Sequence, residues 1–66
     1  MKRFLIADGH PGIRTMIRNL IEEQADWRVI AEASDGLEAV EKAKIDCPDL
    51  AILEISMSKM VYKFIP

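Results

Sequence analysis

Two carboxylates in this sequence follow apolar runs and could act on a common ligand. Asp8 comes directly after Phe4-Leu5-Ile6-Ala7, and Glu54 lies near the end of Asp49-Leu50-Ala51-Ile52-Leu53-Glu54-Ile55. Apolar runs without polar alternation are typical of strands that are covered on both faces. If the two strands are parallel neighbours, both acids lie at the same end of the sheet, where carboxylate oxygens could bind a hard cation such as Mg²⁺. The alternative is two solvated acids at strand ends.

Three other residues with reactive side chains have less support for a chemical role. His10 precedes Pro11 in a cluster of turn formers, and a single loop histidine after a strand is more often a turn residue. Cys47 has no basic neighbour that would make it a reactive thiolate. Ser56 has no histidine in a plausible triad. We therefore predict no catalytic residue, and we expect that the chain is not an enzyme.

Length, charge and cysteine content exclude several classes of protein. A chain of 66 residues forms one domain at most, and its 50% hydrophobic content supports a core. Nine basic and eleven acidic residues give a net charge of −2 without a basic tract, so nucleic-acid binding by this chain is disfavoured. The single cysteine cannot form an intrachain disulfide, and no apolar stretch reaches the roughly 18 residues of a membrane span. We expect a cytoplasmic protein.

The first helix and the second strand are predicted from two different hydrophobic periods. A helix that could start at Pro11 places five apolar residues on one face: Ile13, Met16, Ile17, Leu20 and Ile21. From Trp27 to Ala33 the pattern alternates, which predicts a strand near a sheet edge. Regular alternation assigns Trp27, Val29, Ala31 and Ala33 to one face, and Arg28, Ile30 and Glu32 to the other.

A second helix leads to the strand that carries Glu54. Ser34-Asp35-Gly36 offers capping side chains for a helix from about Leu37 to Ile45, with Leu37, Val40 and Ala43 facing inward. Cys47-Pro48 ends this helix, because proline disfavours helical geometry in the preceding residue. The order strand, helix, strand, helix, strand predicts a parallel three-stranded sheet in the spatial order 2-1-3.

In this topology the third strand lies at an edge of the sheet and is apolar. An apolar edge strand tends to pair with another chain. We therefore expect a homodimer through the third strand, or through the C-terminal tail, in which Val61-Tyr62-Lys63-Phe64-Ile65 is prone to form a strand.

Three segments of the sequence resemble the receiver domain of bacterial response regulators. They are Asp8-Gly9-His10-Pro11, Glu32-Ala33-Ser34-Asp35-Gly36-Leu37-Glu38-Ala39, and the stretch from Pro48-Asp49-Leu50 to Ile55-Ser56-Met57. The resemblance runs from about Lys2 to Met60 and is closest to regulators with a LuxR-type helix-turn-helix output domain. It implies a doubly wound, flavodoxin/CheY-like α/β fold, here truncated to βαβαβ. It also implies that a sensor histidine kinase phosphorylates an aspartate with the assistance of Mg²⁺.

The same resemblance implies losses at the phosphorylation site. Asp8 matches the first acid of the family's acidic pair, and Gly9 stands at the second, which is the more direct metal ligand. Glu54 stands at the phosphoacceptor position, and Ser56 at the residue whose backbone carbonyl would reach the metal. The family's fourth and fifth strands, with their hydroxyl residue and lysine, have no counterpart. Any metal site formed by Asp8, Glu54 and Ser56 is therefore expected to be vestigial, and no cofactor is predicted.

These losses lead to a functional hypothesis with one alternative. A glutamate reaches about 1.5 Å further than an aspartate, and an error of about 1 Å in position can cost about a hundredfold in rate. We interpret residues 1–60 as a truncated, degenerate receiver domain that is not phosphorylatable and retains protein–protein association, with residues 61–66 as a tail. Loss of function is favoured over mimicry of a phosphorylated state by Glu54. The alternative is a phosphoacceptor module of a longer LuxR-type DNA-binding transcriptional regulator.

Overall fold

The computed structural model describes residues 1–54 and forms an α/β unit with a parallel sheet. Its elements are β1 (Lys2–Ala7), α1 (Pro11–Ile21), β2 (Trp27–Ala33), α2 (Gly36–Asp46) and β3 (Leu50–Leu53). The strands lie in the order β2-β1-β3, so the predicted βαβαβ topology is confirmed. The predictions for Ser56, for the tail 61–66 and for the boundary at residue 60 lie outside the described residues.

The central strand β1 supplies the middle of two apolar clusters, one on each face of the sheet. Leu5 and Ala7 pack with Ala33 and Ala39, while Phe4 and Ile6 pack with Val29 and Ile21. Leu5 and Ile6 have no exposed surface. Because both faces of β1 are covered, the continuous apolar run Phe4-Leu5-Ile6-Ala7 is explained.

Strand β2 contains an irregularity that the alternating pattern did not predict. Phe4 pairs with Val29, but the next residue, Leu5, pairs with Ala31, so Ile30 is an extra residue in β2. This bulge reverses the faces of the residues that follow it. Val29 therefore packs on the α1 side with Phe4, whereas Ala33 packs on the α2 side with Leu5. The predicted assignment of Val29, Ala31 and Ala33 to one face is wrong.

The inward faces of the two helices are also narrower than predicted. In α1, Ile21 is buried and Ile17 packs beside it, whereas three of the predicted inward residues are exposed: Ile13, Met16 and Leu20. In α2, Ala39 is buried and Leu37 is 49% exposed. The predicted inward position of Leu37 is wrong, and Ala39 packs against β1 and β2 instead.

Specific side chains define both ends of α2. Asp35 accepts a hydrogen bond from the Glu38 N–H through Oδ1 at 2.9 Å, and Glu38 Oε1 accepts one from the Ser34 N–H at 2.7 Å. The first bond is an N-cap, and the second connects the first turn of α2 with the residue that precedes the cap. At the other end, Arg3 donates to the carbonyls of Cys47 and Asp46, both at 2.8 Å. The start of β1 is thereby joined to the end of α2.

The two outer strands differ in how their backbone groups are satisfied. In β2, the Val29 N–H donates to Glu22 Oε2 at 2.9 Å, and the Glu32 carbonyl accepts from Lys42 Nζ at 2.6 Å. In β3, the described strand pairing is with β1. Leu50 is 50% exposed and Ile52 is 39% exposed, so the expected burial of β3 on both faces is not found in the described part of the chain.

Among residues 1–54, no helix has the length and apolar character needed to cross a membrane.

Candidate functional site at the carboxyl ends of β1 and β3

The carboxyl ends of β1 and β3 lie side by side, as the topology predicted. Ala7 pairs with Leu53, and the Glu54 N–H donates to the Ala7 carbonyl at 3.0 Å. On the other side, the Asp8 N–H donates to the Ala33 carbonyl at 3.0 Å. Asp8 and Glu54 thus follow neighbouring strands directly, at the end of the sheet where ligands collect in doubly wound folds.

Asp8 is buried, and its carboxylate is engaged by the loop that follows it. Only 7% of the residue is exposed. Its Oδ1 accepts a hydrogen bond from the His10 N–H at 2.8 Å, and His10 Nδ1 lies 2.9 Å from the same oxygen. The hydrogen bond from the His10 backbone is the main reason that the pKa of Asp8 is lowered from its ordinary value. Asp8 is therefore held as a carboxylate, with one oxygen already directed at the turn.

Gly9 occupies a position that does not require glycine. Its φ is not in the positive region, and a Cβ added there would lie 3.6 Å from the Ser34 carbonyl oxygen, an ordinary van der Waals distance. A side chain would fit at this position without strain. The backbone therefore gives no reason for the missing second carboxylate.

His10 begins α1, as its place among turn formers predicted. It is the N-cap residue, makes no side-chain bond to the helix, and is followed by Pro11 at the first helical position. Its imidazole is 77% exposed and contacts Asp8. His10 thus contributes to the conformation of the turn.

Arg14 is the residue at this end of the sheet that the sequence pattern did not identify. Its Nη1 donates to the Asp8 carbonyl at 2.6 Å, and its Nε donates to Glu32 Oε1 at 2.9 Å. Arg14 is not part of the apolar face predicted for α1, yet its side chain is only 17% exposed. The opposite charges of Arg14 and Glu32 were a signal in the sequence. Regular alternation could not show that Glu32 lies on the α1 side of the sheet, because it did not include the bulge in β2.

The described donor set fits a hard cation poorly. Within residues 1–54, no group of three or more histidine, cysteine, aspartate or glutamate side chains converges. Mg²⁺ requires near-octahedral oxygen ligands and is usually held by one or two carboxylates with retained water. Asp8 already accepts a hydrogen bond at Oδ1. Glu54, which follows the neighbouring strand β3, is half-buried. Ser56, the third predicted ligand, lies outside the described residues.

Comparison with known protein families gives a match over most of the chain. The sequence model of the response regulator receiver domain matches residues 4–61. Among curated proteins, the chemotaxis protein CheY of Listeria monocytogenes is 43% identical over 60 residues, which are 91% of this chain and 50% of the relative. The chain therefore spans half the length of this relative.

Solved structures with the same fold include two response regulators. The response regulator domain of Thermotoga maritima CheB is 37% identical, with a TM-score of 0.87 over 91% of this chain and 45% of that chain. A LuxR-family two-component response regulator from Aurantimonas is 32% identical, with a TM-score of 0.83 over 86% of this chain and 41% of that chain. Both the fold and the sequence resemblance are thereby confirmed.

Proposed function

Because this chain belongs to the response regulator receiver domain family, we propose that it is a receiver unit of two-component signalling that has lost phosphoryl acceptance and retains protein–protein association. The observation that carries the proposal is Gly9, where a side chain would fit but no carboxylate is present. By family resemblance, the upstream partner would be a sensor histidine kinase. The chain itself would be a signalling module without enzymatic activity.

The loss at Gly9 matters because of the charge that phosphoryl transfer brings together. A carboxylate attacks a phosphoryl group only if cations and fixed donors offset the charge on the phosphoryl oxygens. A second carboxylate at position 9 would help to hold the cation, whereas Asp8 alone is already bonded to His10. Cation binding at this end of the sheet is therefore expected to be weak.

Glu54 adds a second defect at the acceptor position. Its backbone N–H is bonded to the Ala7 carbonyl, so its Cα is held in line with the end of β3. The extra methylene then extends the carboxylate by about 1.5 Å, and a displacement of about 1 Å can lower a rate by about a hundredfold. Glu54 is an inefficient acceptor on this basis. One carboxylate charge also falls short of the nearly two charges of a phosphate, so we favour loss of function over mimicry.

The proposed association uses the edge of β3. Charged side chains satisfy backbone groups in β2, whereas β3 pairs only with β1 within the described part of the chain. Leu50 and Ile52 are exposed on the same side of β3. Antiparallel pairing of two copies of β3 about a twofold axis would extend the sheet and cover both residues in each copy. We propose this homodimer, with exchange of the tail 61–66 as the alternative.

Incubation with acetyl phosphate and Mg²⁺, followed by intact mass measurement, tests the loss of phosphoryl acceptance. The transfer would move the phosphoryl group to a carboxylate and release acetate. We expect no adduct on this chain. An adduct that disappears in Glu54→Gln would overturn the proposal and favour the alternative, a functional phosphoacceptor module of a LuxR-type transcriptional regulator.

Light scattering over a wide range of concentration tests the association. We expect a dimer that dissociates in Ile52→Lys and persists in Ile45→Lys, a matched change at a residue that is 79% exposed on α2. Deletion of residues 61–66 distinguishes the two dimers, because only tail exchange depends on them. A chain that remains monomeric at every concentration would contradict both.

A further inference from the structure

Arg14 connects the turn after β1 with β2 through two hydrogen bonds. Its Nη1 donates to the Asp8 carbonyl at 2.6 Å, and its Nε donates to Glu32 Oε1 at 2.9 Å. The side chain of Arg14 is 17% exposed, and that of Glu32 is 29% exposed. A planar guanidinium with several donors can hold two acceptors in fixed directions at the same time, which a lysine ammonium does less well.

Glu32 is itself held in place from two positions on α1. Its Oε1 accepts from Arg14, and its Oε2 accepts from Arg18 Nη2 at 2.6 Å and Arg18 Nε at 2.9 Å. The bulge at Ile30 brings Glu32 to the α1 side of the sheet. On the opposite side, Lys42 of α2 donates to the Glu32 carbonyl. Glu32, whose carboxylate orients Arg14, is therefore restrained at both its side chain and its backbone.

The Asp8 carbonyl is a further polar group of this turn, and its direction is coupled to the position of the Asp8 carboxylate. The Asp8 N–H is bonded to Ala33, and Asp8 Oδ1 accepts from the His10 N–H. The carbonyl of Asp8 belongs to the peptide unit that connects it to Gly9, and Arg14 is its donor. If that peptide rotated, the geometry between Asp8 Oδ1 and the His10 N–H would change as well.

We propose that Arg14 is a positioning residue, which is oriented by Glu32 and fixes the Asp8–Gly9 peptide so that the Asp8 carboxylate keeps its direction at the end of β1. The functional meaning of this role rests on the proposed origin of the site as a phosphorylation site. The geometric role does not depend on whether Glu54 accepts phosphate. Arg18 provides the matched comparison, because it donates to the same Glu32 carboxylate but makes no hydrogen bond with Asp8 among the described residues.

Amide hydrogen exchange and backbone NMR shifts of Gly9 and His10 test this role in the full chain. In Arg14→Met we expect His10 amide exchange to accelerate by about tenfold relative to the change in global unfolding. The Gly9 and His10 amide resonances should also shift. In Arg18→Met both signals should change clearly less than in Arg14→Met, because Arg18 reaches the turn only through Glu32. Arg14→Lys, which retains the charge but not the planar donor set, should resemble Arg14→Met at His10.

Two further outcomes decide the proposal. Glu32→Gln should produce part of the Arg14→Met effect at His10, since Arg14 loses the carboxylate that orients it. If Arg14→Met does not fold, Arg14→Lys and Glu32→Gln provide the same comparison against Arg18→Lys. Equal effects of the Arg14 and Arg18 variants on His10, or none at all, would show that Arg14 contributes only to stability. A phosphoryl adduct on Glu54 would overturn the proposed function without changing any of these measurements.

Discussion

Arg18 and Glu32 form a two-donor ion pair that connects the second half of α1 with the edge strand β2. Arg18 Nη2 lies 2.6 Å from Glu32 Oε2, and Arg18 Nε lies 2.9 Å from the same oxygen. This hydrogen-bonded guanidinium is the largest cause of the lowered pKa of Glu32, with a smaller contribution from Arg14. Arg18 lies about one helical turn beyond Arg14 on α1, so both arginines reach the same carboxylate.

The lowered pKa of Glu32 predicts a loss of stability in acid. A carboxylate with a lower pKa in the folded state stabilises the protein above the pKa of the unfolded state, which is about 4.5. That stabilisation disappears as pH falls through the folded pKa. We expect Glu32→Gln to lower the free energy of unfolding by about 1 kcal/mol at pH 7 and to reduce its pH dependence below about pH 4.5. Urea unfolding at several pH values measures both effects.

Glu41→Gln is the matched control for this measurement, because Glu41 is exposed on α2. It should leave the stability at pH 7 within about 0.5 kcal/mol of the original chain. Asp8 and Glu38, whose pKa values are also lowered, remain in both variants. If the original chain and Glu32→Gln had parallel stability curves between neutral pH and pH 3, the assigned contribution of Glu32 would be wrong.

We expect the Asp35 side chain to contribute to the free energy of unfolding by capping α2. Its Oδ1 accepts from the Glu38 N–H at 2.9 Å at the start of α2. Asp35→Ala should lower the free energy of unfolding by about 1 kcal/mol, because an N–H at the helix start loses its partner. Asp35→Asn should retain most of the stability, since an amide oxygen also accepts this hydrogen bond. Thermal and urea unfolding compare the two, and equal losses would assign the effect to charge instead of capping.

We expect replacement by alanine to have opposite effects on stability at Leu5 and at Leu20. Leu5 has no exposed surface, and Leu20 is 59% exposed. Leu5→Ala should cost about 2–5 kcal/mol, out of a total of about 3–10 kcal/mol expected for this length. We expect Leu5→Ala to be largely unfolded by circular dichroism and Leu20→Ala to unfold close to the original chain. A large loss in Leu20→Ala would show that this residue is covered in solution.

The order of the elements could be predicted from local patterns. The apolar run of β1, the helical period after Pro11 and the capping residue Asp35 each depend on neighbouring residues, whose spacing reflects the geometry of a strand or a helix. The adjacency of the ends of β1 and β3 followed from the handedness of parallel crossovers. The sequence was therefore sufficient to predict the fold and the strand order 2-1-3. It was also sufficient to predict that Asp8 and Glu54 follow neighbouring strands.

Which side chains are in contact depends on the pairing and packing of distant segments. The extra residue Ile30 in β2 is defined by pairing with β1, more than twenty positions earlier, so no local period could place Glu32 beside Arg14. The exposure of Ile13, Met16 and Leu20 on α1 could not be predicted either, because helical spacing does not show how much of the helix surface the sheet covers. Local sequence patterns were sufficient to predict the elements, their order and the acids that follow β1 and β3. Tertiary pairing alone determined that Arg14 holds the Asp8 turn, since that contact depends on distant segments packing together.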